Sequence, residues 1–269
     1  MFEIFTHPFM IRALLVGLLM AICTGLLSSF LVSSNQSLIG DGLAHTTFTG
    51  IVLGIILGNN PLYLAIPFTV IVAIIIKSLI TYTKLEGDAA IGLVSTFIIA
   101  VGFILISLSQ GFNQSIESIL VGSIFSTTWA DILIVNTMML ILLSFITSSY
   151  SELVSITFDE NYAKFNKINV VLYDYLLTII TAVIVVLGVK TIGTLLISAF
   201  IIFPAVSANT ISKSFKEMII KGIIINVVIS LGGIFVSHYL NIQAGAMIIF
   251  LHGILFVVLY LYKKILRKE

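Results

Sequence analysis

Charge is what this sequence has least of. Only 9% of its 269 residues are Asp, Glu, Lys or Arg, against 59% hydrophobic, and mean hydropathy is +1.20. Soluble domains carry about 25% charged residues. A chain this poor in charge cannot clothe its surface for water, and lipid is the solvent left. The net charge is +1 with no basic block, so nothing marks a nucleic-acid partner. Cysteine is nearly absent too. The single Cys23 excludes an internal disulfide and a stapled secreted fold. It lies inside an apolar run, and Ile22 before it is too bulky for a lipid-attachment site, so the thiol reads as buried.

Catalytic signatures are missing as well. No Gly-x-x-x-x-Gly-Lys-Ser/Thr loop occurs, so the chain does not hold ATP by that route. Neither His-Glu-x-x-His nor Gly-x-Ser-x-Gly is present, which leaves an intramembrane hydrolase unsupported.

What the sequence has in abundance is apolar runs, at residues 11–32, 43–57, 62–82, 89–108, 132–146, 170–189, 192–206, 218–236 and 244–262. They predict an all-α, polytopic integral membrane bundle of about 8–9 transmembrane segments, since one crossing needs roughly 20 residues. The second and seventh runs are the candidates for broken or re-entrant segments. The first follows Arg12 and mimics a secretory signal, but it is long and more membrane segments follow, so it reads as a retained helix. The breaks are short, with no linker, low-complexity tract or internal repeat. Residues 1–269 are expected to form a single transmembrane domain.

Lys and Arg in short loops mark the cytoplasmic side. Lys263, Lys264, Arg267 and Lys268 crowd the end of the chain; Lys213, Lys216 and Lys221 mark one loop, Lys164 and Lys167 another, Lys77 and Lys84 a third. The breaks at 58–61, 109–129 and 239–243 hold neither residue, and Lys190 alone interrupts the alternation. The C-terminus is therefore expected in the cytoplasm.

Ionisable groups inside apolar segments default to function. Gly40-Asp41-Gly42-Leu43-Ala44-His45 opens the second run. Asp41 and His45 stand one turn apart on one helix face. A carboxylate with an imidazole suits a first-row divalent metal or a proton relay. The same pair also fits a plain helix start, with Asp41 stabilising free amides and His45 bonding to it. Gly42, Thr46, Gly50, Gly54 and Gly58 recur every fourth position, a small-residue stripe of the kind that lets membrane helices approach closely. His238, at the outer end of the eighth run, is a weaker metal candidate, and His252 reads as a satisfied bundle histidine. Pro204 is expected to bend or break its helix. The segment Phe158-Asp159-Glu160-Asn161-Tyr162-Ala163-Lys164-Phe165 carries helix-start residues in Asp159 and Glu160. It reads as a short cytoplasmic helix that a partner could grip, or as an amphipathic turn on the membrane surface.

Together these segments resemble the ABC-3 family of permeases, the membrane subunits of bacterial importers for zinc, manganese and iron. The resemblance runs along essentially the whole chain. It is carried by Leu38 to His45 with Gly50 and Gly54, by Gly87-Asp88-Ala89-Ala90-Ile91-Gly92, and by Leu120-Val121-Gly122-Ser123-Ile124 with Asp131. Phe158-Asp159-Glu160 to Ala163, and Gly193-Thr194-Leu195-Leu196 through Pro204-Ala205, complete it. It implies a transport subunit rather than an enzyme, in a bacterial cell membrane. A separate ATPase, an extracytoplasmic metal-binding protein and a second permease copy, as a homodimer, are the implied partners. No cofactor is implied as permanently bound; the metal is transported substrate. The resemblance implies Asp41 and His45 as metal contacts and the segment of Phe158, Asp159, Glu160 and Ala163 as the ATPase-coupling loop. One departure stands out: where the family has Asp, then Pro and Gly, before the last helix, this chain reads Asn241-Ile242-Gln243-Ala244-Gly245. The Gly-Asp-Gly-Leu-Ala-His form leans towards zinc. Manganese or iron import by the same machinery stays open, as does a proton-coupled carrier acting alone.

Overall fold

The computed structural model describes residues 7–58, 60–83, 85–109 and 122–266, without the side chains of Leu195, Leu196 and Leu266. Lys84, Arg267 and Lys268 of the charge count, and Leu120 and Val121 of the motif, lie outside these. The described residues are helical, with no strand. In chain order the helices are α1 (Pro8–Ser33), α2 (Ile39–Ile56), α3 (Pro61–Thr83), α4 (Gly87–Leu108), α5 (Trp129–Ser148) and α6 (Tyr150–Phe158). They continue as α7 (Glu160–Phe165), α8 (Val170–Ile192), α9 (Thr194–Ile211), α10 (Phe215–Leu240) and α11 (Ala244–Leu266), with a short 3-10 turn at Ile124–Ser126 before α5.

Eight of these, α1 to α5, α8, α10 and α11, are long and apolar enough to cross a membrane. The protein is an all-α, multi-pass membrane protein. The second run, expected to be broken or re-entrant, is one continuous helix of 18 residues. The seventh run lies in α9, whose apolar stretch, Ile197–Ile211, is shorter than the eight. Pro204 does not break α9, which stays helical to Ile211.

The helix starts follow local chemistry. Asp159 accepts from the Tyr162 amide at 2.9 Å to begin α7, and Asn169 accepts from Leu172 at 3.2 Å to begin α8. Ser214 accepts from Glu217 at 3.3 Å to begin α10. Each satisfies one of the amides that a helix leaves unpaired at its first turn. At α5, Asp131 accepts from both the amide and the hydroxyl of Thr128, at 2.9 and 2.8 Å. Asp131 is thereby a cap.

Contacts divide the chain into two compact units. One holds Met1–Val32, Ser123–Ser144 and Ala199–Glu269; the other holds Ser33–Gly122 and Phe145–Ser198. In the first, a Cβ on Gly25 of α1 would stand 2.9 Å from the Ile223 Cα of α10, so these helices touch backbone to backbone. Here Asn226 of α10 donates to Ala21 O at 2.9 Å and to Thr24 Oγ1 at 2.7 Å, both on α1. His252 Nε2 of α11 lies 3.1 Å from Asn226 Oδ1.

In the second unit α2 packs against α3, α4 and α8. The small-residue stripe does what the spacing predicts over most of its length. Gly42 faces Ile91 and Ser95 of α4, while a Cβ on Gly50 or Gly54 would stand 2.8 or 2.7 Å from the Ala65 or Pro61 Cα of α3. Gly58 is different: nothing lies within 4 Å of its Cβ position, and its φ of +66° ends the helix in the left-handed region. Two motif glycines also meet. Gly122, at φ +62°, sits so close to Gly193 that a Cβ would stand 2.5 Å from its amide nitrogen.

Candidate metal site

The site begins with where α2 starts. Leu38 is the cap residue and makes no side-chain cap bond, which places Asp41 in the first turn and His45 one turn deeper. Asp41 Oδ2 and His45 Nε2 are 3.5 Å apart, with the Asp41 side chain 47% and the His45 side chain 26% exposed. The carboxylate is also held from another helix: Ser198 Oγ, on α9, donates to Asp41 Oδ1 at 3.2 Å. So Asp41 is engaged by two side chains, one on its own helix and one far along the chain. His45 Nδ1 is buried without a partner.

Two ligands bound at roughly 2.1 Å under a tetrahedral angle lie about 3.4 Å apart. The Asp41–His45 separation matches that span without any movement of the helix. Among the described residues no three His, Cys, Asp or Glu side chains cluster, so the pair is a sparse ligand set. Such a set suits an ion that must leave again.

His238 belongs to the other compact unit. Its ring lies 6.1 Å from Phe9 and 6.3 Å from Phe125, an aromatic setting with no carboxylate among these ring contacts. The structure thus brings Asp41 and His45 together and gives His238 different neighbours.

The predicted coupling segment forms α6, α7 and the turn between them. Asp159 caps α7, Ala163 is fully buried, and Glu160 pairs with Lys164 at 2.5 Å. Phe158, Tyr162 and Phe165 turn outward, Phe165 being 85% exposed. Tyr162 and Phe165 were not singled out by sequence, although offsets of one and two residues from the buried Ala163 turn both away from its face. Behind this segment lies a cavity of about 290 Å³, lined by Asn35, Gln36, Lys77, Thr157, Glu160 and Asp174 among others. Its wall carries an ion pair, Lys77 Nζ to Asp174 Oδ2 at 2.7 Å. Lys77 is therefore no loop residue: it sits within α3, nearly buried, and its charge answers Asp174 of α8.

The model of the ABC 3 transport family matches residues 6–263. The chain is 30% identical over 250 residues to the manganese import system permease protein ScaB of Streptococcus gordonii, covering 93% of this chain and 90% of that protein. It is 27% identical over 264 residues to the high-affinity zinc uptake system membrane protein ZnuB of Haemophilus influenzae, covering 98% and 99%. Among solved structures, PsaBC from Streptococcus pneumoniae in complex with Fab superposes with a TM-score of 0.82 at 29% identity, covering 94% of this chain and 91% of that one. With nearly the whole chain matched by one family model, the protein belongs to the ABC 3 transport family.

Proposed function

We propose that this chain is the membrane-spanning permease of an ATP-driven importer of a divalent metal ion, and that the ion is zinc. The observation that carries the reading is the Asp41–His45 pair, whose 3.5 Å separation suits two ligands of one tetrahedral ion. Relatives named for metal import support the class of cargo. ATP is hydrolysed on a separate chain, which docks on the end of α6 and on α7 through Phe158, Tyr162 and Phe165; an extracytoplasmic binding protein delivers the ion. The lysine-bearing helix ends face the cytoplasm of a bacterial cell, the C-terminus included, and the whole chain works as one permease domain. A tetrahedral ion takes four ligands, and one chain offers two. A second copy of the chain completes the pathway, which makes the permease a homodimer, and the ion takes its remaining ligands from water as it passes. ATP-driven motion passed through α7 then switches the side to which the Asp41–His45 region opens.

The relative named for manganese import favours one second reading, manganese as the cargo of the same site. The test reconstitutes the chain with its ATPase and binding protein in vesicles and follows labelled zinc and manganese. Asp41→Ala and His45→Ala should each lower zinc uptake by at least about tenfold at normal protein levels. Uptake of manganese but not zinc replaces the cargo and keeps the mechanism. Uptake without the ATPase, driven by a proton gradient alone, overturns the reading.

A further inference from the structure

Asp41 has two carboxylate oxygens, and they face different groups. Oδ2 faces His45 Nε2; Oδ1 accepts from the hydroxyl of Ser198, a residue 157 positions away. A serine or threonine inside a helix normally returns its hydroxyl to a carbonyl one turn back. Thr24 and Ser28 in α1, and Thr46 and Thr47 in α2, do so. Ser198 instead sends its hydroxyl from α9 across to α2.

The consequence lies in how the carboxylate can meet a cation. The Ser198 hydroxyl takes one lone pair of Oδ1 and fixes the carboxylate with Oδ2 towards His45, an orientation that disfavours chelation through both oxygens and presents Asp41 through one. That mode suits zinc, which takes four ligands and prefers nitrogen with few oxygens. Manganese favours oxygen-rich, octahedral surroundings, and a carboxylate chelating through both oxygens raises the oxygen count.

We propose that Ser198 determines specificity: by holding Asp41 Oδ1 it keeps the carboxylate monodentate and biases the transported ion towards zinc over manganese. The proposal rests on the reading of Asp41 and His45 as the transient ligands. Ser198 acts through Asp41 as a positioning residue and does not itself touch the ion.

The test uses vesicles carrying the chain with its ATPase and binding protein, supplied with zinc and manganese at equal concentration. Ser198→Thr and Ser198→Val have the same shape and differ in the hydroxyl. Ser198→Val should move the zinc-to-manganese uptake ratio about tenfold towards manganese, the loss expected for one hydrogen bond to a charged group. Ser198→Thr should stay within about twofold of the parent chain. A purely structural serine would lower both ions in proportion and leave the ratio unchanged in Ser198→Val, and that result overturns the proposal. So does a Ser198→Thr chain that behaves like Ser198→Val. Asp41→Ala in the same vesicles separates the two levels: if it carries both ions at the parent rate, the ligand reading fails, whatever the serine variants do.

Discussion

Of the histidines in the membrane-spanning helices, His45 and His252 have opposite surroundings. His252, on α11, is fully buried. Phe203 stacks on its ring at 6.0 Å, and Phe200 meets it edge-on at 6.1 Å. Its Nε2 faces the Asn226 carbonyl oxygen, an acceptor only, so the network assigns the proton to Nε2. From there the bonds run in one direction, through Asn226 to Thr24 and on to Met20 O. Only Nδ1 is left over, and as a bare lone pair in a neutral ring it is the less costly atom to leave unmatched. His45 has no such chain. It is a quarter exposed and stands 3.5 Å from a half-exposed carboxylate. A buried polar cluster that bonds from helix to helix ties them together; a partly exposed carboxylate–imidazole pair is where an ion can bind in passing.

The largest expected effect breaks that comparison if it fails. His45→Ala should abolish metal uptake while leaving the thermal unfolding of the detergent-purified chain unchanged, because among the described residues the ring pairs with Asp41 of its own helix. His252→Ala should do the reverse, lowering the melting temperature and keeping transport per folded molecule. If His252→Ala instead stops transport at an unchanged melting temperature, the buried cluster is part of the pathway and the contrast is wrong.

Asn226→Leu sharpens the same contrast. It removes the bonds to Ala21, Thr24 and His252 together. Polar contacts between membrane helices are each worth roughly 0.6–2 kcal/mol, so the variant should lose about 2 kcal/mol, read as unfolding in graded denaturant.

The Lys77–Asp174 pair is architecture of the same kind in the other unit. Lys77→Met strands the Asp174 carboxylate, and with Asp174 still a quarter exposed the cost should be about 1–2 kcal/mol. Adding Asp174→Leu should recover most of it, since replacing both partners leaves no unpaired charge. A double variant as unstable as the single one would show that the lysine acts through packing instead.

These contrasts mark what was legible in the sequence. The spanning helices were, because a long apolar run at these compositions has no alternative in lipid. The approach of Asp41 to His45 was, because a spacing of four on a helix is a local fact, and the cap at Asp159 was for the same reason. Ser198 was readable only as one small residue near Pro204, because its hydrogen bond joins helices 157 residues apart, which no local pattern encodes. Lys77 was misplaced because the loop rule counts charge but cannot see Asp174 across the bundle. Asn226 carried a signal that went unused: an amide in the middle of an apolar run needs partners, and His252 was available. Of the bend or break expected at Pro204, the break does not occur: α9 stays helical through it.

The smallest expected effect is at α7. Glu160 and Lys164 pair at 2.5 Å, but both side chains are 57% exposed, and exposed pairs at this spacing contribute about 0.3–0.5 kcal/mol. Glu160→Gln removes the charge and keeps the Asp159 cap and the buried Ala163, so the melting temperature should be unchanged in high and low salt. The helix would then stand on its cap and its buried face, leaving the ion pair free to meet a partner. Against that unchanged background, a loss of ATP-driven transport in Glu160→Gln would report a contact with the docked ATPase, and an equal loss in Phe165→Ala would place the aromatic face in the same contact. A drop of more than about 1 kcal/mol on losing Glu160 would instead make the pair structural, and α7 would join the buried clusters on the architectural side of the comparison.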